Sequence, residues 1–158
     1  MAANCYDRGE FEKALLNYED LLKSQPGNFN YFYRVIECYQ QLQQYEKAEK
    51  ALVERIAKFK QGGTIVELGY NYQLQKDQNK ATKYYDDAIE RINKTPAEVY
   101  GVAYQFEKRG LIDYALKAYQ LALQKEPNFK FNYQRALLYG QKGDMEMIPI
   151  QRVIGNEI

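Results

Sequence analysis

The chain of 158 residues contains no histidine and only two cysteines, Cys5 and Cys38. The first absence removes the usual general base and the commonest nitrogen ligand for a metal. Two cysteines far apart, with no CxxC pair, build neither a zinc site nor a disulfide scaffold. They are expected to be small buried thiols on helices. No apolar run reaches the ~18 residues that span a bilayer, so no direct membrane insertion is expected. No charged-then-apolar segment opens the chain, which reads as soluble. These residues leave the compartment unknown: cytoplasmic, or periplasmic if an N-terminal signal has been removed. An excess of one charge is missing too, since 22 Lys+Arg against 21 Asp+Glu leave +1. Phosphate-led binding of nucleic acid shows itself as a basic surplus or stripe, so no nucleic-acid partner is expected.

What the chain has in quantity is a period. Ala14, Ala48, Ala81 and Ala115 follow one another at steps of 34, 33 and 34. Four residues after each stand Tyr18, Leu52, Tyr85 and Tyr119. Tyr39, Tyr72, Phe106 and Tyr139 make a third ladder, and Pro26 with Pro127 and Gly9 with Gly110 match three units apart. Apolar positions inside each unit recur at helical spacing. Gly9, Gly110 and Gly143 suit a left-handed residue just past a helix end. The alanines must be small because two helices approach there, and the prolines stop the second helix of a unit. Helices are predicted over about 10–24, 29–42, 45–59, 64–75, 78–92, 97–108, 111–125 and 129–142. The Gly62-Gly63 pair is expected to loosen the start of the fourth.

This pattern resembles the tetratricopeptide repeat (TPR) family, whose unit of about 34 residues reads W-x2-L-G-x2-Y, then A-x3-F, then P. Leu68, Gly69, Tyr72, Ala81, Tyr85 and Ala88 match it in one unit, and Phe32, Val35, Tyr39, Ala48 and Leu52 in another. The departures are the lack of Trp, a Leu-Gly pair intact only at Leu68-Gly69, and no closing Pro near Lys60. The resemblance implies an all-α fold, with tandem helix-turn-helix repeats stacked as a right-handed α-solenoid (a TPR-like superhelix). The solenoid would occupy 1–148, as a partial unit 1–28, units 29–61, 62–95 and 96–128, and a partial unit 129–148. Residues 149–158 would form a non-repeat tail. Both ends read as unfinished, because only about Ala2 to Asp7 precede the second helix of the first unit and Pro149 interrupts the last ladder. A fragment of a longer protein, or a homo-oligomer formed through uncapped ends, would each explain that.

Stacked hairpins of this kind bind a peptide or helix on the outward face of each first helix, which lines a concave groove. At 100° per residue, that face carries Asn30, Tyr33, Arg34 and Glu37 in the second unit. Val66, Glu67, Tyr70 and Gln73 hold it in the third, Tyr100, Tyr104 and Lys108 in the fourth, and Gln134 in the last partial unit. The expected groove is aromatic with a few mixed charges, and Tyr suits recognition because it binds with little entropy loss. Adjacent carboxylates such as Asp86-Asp87 do not face each other on a helix, and no nucleophile motif accompanies them. The chain is therefore expected to be a non-catalytic scaffold for a protein or peptide partner, without cofactor or metal. The alternative is a self-assembling or intramolecular docking segment of a larger protein.

Overall fold

The computed structural model describes residues 1–92 and 96–125, which form eight helices: α1 (Ala2–Asp7), α2 (Phe11–Ser24), α3 (Phe29–Gln41), α4 (Tyr45–Phe59), α5 (Gly62–Leu74), α6 (Gln78–Glu90), α7 (Pro96–Lys108) and α8 (Ile112–Lys125). No strand occurs among the described residues. Consecutive helices pair as antiparallel hairpins, and α5 also packs against α4 and α7. The predicted helix over 129–142, Gly143 and the tail lie outside the described residues.

Each hairpin closes through the same pair of backbone bonds. Gly9, Gln43, Lys76 and Gly110 donate to the carbonyls of Tyr6, Gln40, Gln73 and Glu107, at 2.9–3.0 Å. The next residues, Glu10, Gln44, Asp77 and Leu111, donate to Cys5, Tyr39, Tyr72 and Phe106, at 2.8–3.0 Å. This geometry needs a positive φ at the first residue of each set. Gly9 (φ 76°) and Gly110 (φ 71°) supply it as expected, but Gln43 (57°) and Lys76 (62°) adopt it with side chains, at roughly 1 kcal/mol each. Asn28 and Asp77 cap the following helices by accepting from the amides of Tyr31 (3.2 Å) and Lys80 (3.1 Å).

The ladders become the core. Ala14, Ala48, Ala81 and Ala115 are wholly buried, as are Leu52, Tyr85 and Tyr119. Tyr85 donates its hydroxyl to Gln73 (2.8 Å) and Tyr119 does the same to Glu107 (3.3 Å), at equivalent positions. Burial holds both phenols well above their ordinary pKa. Leu52 has no hydroxyl to offer, and the equivalent Gln40 turns instead to Asn71 in the next unit (3.5 Å).

Helix α5 begins at Gly62, two residues before its predicted start. The reason is contact rather than looseness: a Cβ on Gly62 would stand 2.5 Å from Val102 Cγ2, and one on Gly63 would reach the Gly101 carbonyl oxygen at 3.6 Å. The two glycines let α5 press against α7. Residues Thr64 to Gly69 are all buried, so α5 is the central helix of the described array.

One ladder position is occupied by a residue of the wrong character. Ala88 and Leu21 are equivalent to Arg55, which is buried with its guanidinium carbon 4.3–4.5 Å from the ring centres of Phe29, Phe32 and Phe59. Its Nη1 donates to the Pro26 carbonyl (2.9 Å), while Nε and Nη2 have no hydrogen-bond partner among the described residues. Burial pulls its pKa below the ordinary guanidinium value. A buried charge without a carboxylate is destabilising relative to an apolar side chain of similar volume. Arg55→Met is therefore expected to raise the unfolding free energy by about 1–2 kcal/mol. A lower midpoint in urea for the variant would show that the three rings and one carbonyl satisfy the cation fully.

Candidate interaction surface

The first helices of the units, α3, α5 and α7, carry a chain of charges that crosses all three. It starts from Glu67, in the middle of α5 and wholly buried. A carboxylate so placed must be paired and hydrogen-bonded to persist as an anion. Arg109, one residue beyond α7, meets it with two parallel bonds, Nε to Oε1 at 2.7 Å and Nη2 to Oε2 at 2.6 Å. Gln105 donates a further short hydrogen bond to the same Oε1. The guanidinium lies 4.4 Å from the centre of the Tyr70 ring and 3.7 Å from Glu37 Oε1 on α3. Burial lowers the Arg109 pKa, but the bond and charge of Glu67 more than offset this, leaving it raised.

Glu37 is the second junction. Buried on α3, it accepts a hydrogen bond from Arg34 (3.0 Å) one turn earlier and forms an ion pair with Lys108 (3.1 Å) at the end of α7. Lys108 Nζ also lies 5.8 Å from the centre of the Tyr33 ring. Tyr33 shares a hydrogen bond with Thr64 at the start of α5 (3.3 Å), and burial raises its pKa. Two carboxylates thus tie α3, α5 and α7 into one frame.

The predicted groove residues divide accordingly. Glu37, Val66 and Glu67 are buried, so in this structure they support the face and offer a partner nothing directly. Tyr33, Tyr70, Gln73 and Tyr100 are half-buried. Gln73 is engaged by Tyr85, and Tyr100 stacks on Tyr104 (6.3 Å between ring centres) while meeting Tyr119 edge-on (6.3 Å). Asn30, Arg34, Tyr104 and Lys108 remain exposed. Gln134 lies outside the described residues. The expectation of mixed charge on this face needs correcting in one respect: the acidic members turn inward and the basic ones outward. Arg109 and Gln105 do not figure in the sequence reading. Their signal is indirect, since a Glu at a position sealed on both sides requires a donor from a neighbouring unit.

Among the described residues no group of three or more His, Cys, Asp or Glu is placed to hold a metal ion. Cys38 is buried and Cys5 half-buried, both reduced, and burial pushes the Cys38 thiol up to about 11, which leaves it protonated near neutrality. No helix among the described residues is long and apolar enough to cross a membrane.

Among known proteins, no family model matches the chain. The general transcriptional corepressor trfA of Dictyostelium discoideum is 28% identical over 126 residues, which cover 77% of this chain and 9% of that protein. The chain therefore spans only a small part of that curated relative. Among solved structures, MamA of Desulfovibrio magneticus RS-1 is similar at 14% identity and a TM-score of 0.49, over 99% of this chain and 90% of its own. A tetratricopeptide repeat protein from Parabacteroides merdae is similar at 19% identity and a TM-score of 0.49, over 90% of this chain and 56% of its own. With both scores under 0.5, the fold rests on this chain's own period and hairpins. They define a TPR-like α-solenoid.

Proposed function

We propose that the chain is a non-catalytic scaffold that docks a segment of a partner protein across the face of α3, α5 and α7. The observation that carries this reading is the ionic frame. Glu37 and Glu67 hold three helices together and so present Tyr104, Arg34, Lys108 and Asn30 at the surface with little freedom to lose on binding. Tyr and Arg are the side chains that most often dominate protein interfaces. The likeness to part of a general transcriptional corepressor fits a partner-binding role. Affinity in the micromolar range, about −8 kcal/mol, is what a face of this kind supplies.

Affinity capture from lysate of the source cells tests it, comparing the wild type with Tyr104→Ala. Tyr104 is half open to solvent and bears no hydrogen bond of the frame, so the variant keeps its helical circular dichroism. A partner held by the wild type is expected to bind the variant about 30-fold more weakly, as for an aromatic anchor worth about 2 kcal/mol. Undiminished capture of every partner by the variant rejects this face.

A further inference from the structure

Resting on that docking face, we infer that the partner segment it takes is acidic, engaged through side-chain carboxylates and an aromatic contact with Tyr104. The argument is the asymmetry of burial within the charged frame. The side chains of Glu37 and Glu67 are 7% and 0% exposed, whereas those of Arg34 and Lys108 are 46% and 37% exposed. Three cations (Arg34, Lys108, Arg109) surround two carboxylates, so the frame carries one positive charge in excess. What reaches the surface is the cationic part. The carboxylates lie buried behind these cations, so an approaching anion meets the cationic groups first. The frame's excess equals the chain's overall charge of +1, so the remaining charges cancel among themselves. Complementary potential of this kind selects partners and speeds encounter.

The second feature is steric. Gly101 lies on α7, one turn before Tyr104 and two turns before Lys108, exposed and, apart from its own helix backbone, with no atom of the described residues within 4 Å of where a Cβ would be. A glycine inside a helix costs about 1 kcal/mol against alanine, and here no described neighbour requires it. The notch leaves room beside Tyr104 for a partner's side chain, one or two turns from the cations.

Gly101 also provides the test, because both charges can be placed there without disturbing the fold. Fluorescence anisotropy would follow a labelled Glu-Ala-Tyr repeat peptide, its Lys-Ala-Tyr counterpart and a single-stranded oligouridine. Wild-type protein is expected to bind the Glu peptide, more weakly as salt rises, and not the Lys peptide. Gly101→Lys is expected to tighten the Glu peptide about threefold and Gly101→Glu to weaken it about threefold, the scale of one partly screened surface charge. No binding of the Glu peptide, equal binding of both peptides, or indifference to both variants overturns the inference. Tighter binding of the oligouridine than of the Glu peptide also overturns it, by assigning the face to a nucleic acid. Any of these results leaves the Tyr104→Ala capture experiment intact, so an acidic partner can fail while the docking face stands.

Discussion

Glu67→Ala is expected to lower the unfolding free energy by about 3–5 kcal/mol, the cost of stranding one member of a buried ion pair. The Arg109 guanidinium would lose both short bonds and keep, among the described residues, the Tyr70 ring and the Glu37 carboxylate, which is 3.7 Å away and already shared with Arg34 and Lys108. Gln105 would lose its acceptor as well, and the vacated volume lies within the buried stretch from Thr64 to Gly69. The paired replacement Glu67→Leu with Arg109→Met separates this from the worth of the ion pair itself. Removing both charges leaves neither stranded, and such replacements are neutral or stabilising when they pack well. The double variant should therefore recover most of the loss in equilibrium urea unfolding. Circular dichroism and tyrosine fluorescence should be followed together, since stacked repeats can unfold in separate steps. A loss below about 1 kcal/mol in the single variant would mean that the frame is decorative and that packing alone joins α3, α5 and α7.

The sequence makes the fold legible because stacking imposes a length. Ala14, Ala48, Ala81 and Ala115 must each let a partner helix approach, so the interval between them cannot drift, and four such positions announce the hairpins. Helix limits follow to within one or two residues for the same reason. What is misjudged at α5 is the reason, since its paired glycines resemble a loose start but make room for Val102. Left-handed turns are legible by residue type at Gly9 and Gly110. At Gln43 and Lys76 only their place in the ladder reveals them. The candidate site is less legible because a helical wheel reports one helix at a time. It turns Glu67 away from its own hairpin but contains no knowledge of Arg109, which arrives from a turn 42 residues later. Whether a charge faces solvent or a neighbouring unit is a property of the stack. Arg55 is an intermediate case, visible in the sequence as an Arg at an Ala position but with its three-ring enclosure hidden.

Gly69→Ala is expected to destabilise the protein by about 2–3 kcal/mol, although alanine is the better helix former. The added methyl would stand 2.6 and 2.7 Å from Cε1 and Cδ1 of Tyr85 and 3.1 Å from the Ala81 carbonyl oxygen, nearly an ångström inside ordinary contact. Tyr85 cannot move aside cheaply. Its ring is wholly buried, meets Phe106 edge-on at 5.6 Å and Tyr114 at 5.2 Å, and its hydroxyl is tied to Gln73. Overpacking of this severity costs about 3–4 kcal/mol, at the upper end for added core atoms, against about 1 kcal/mol gained from helix propensity. The melting temperature should fall by about 2–4 °C for each kcal/mol in a chain of this size. Gly101→Ala is the internal control, because it makes the same chemical change in a helix of the same length where no other described element comes within 4 Å. It should gain up to about 1 kcal/mol. Opposite signs for the two substitutions would show that Gly69 is required by the approach of α5 to α6. A shared gain would mean that the hairpin can open at Tyr85 without loss, and that the Leu68-Gly69 pair plays no part in holding it closed.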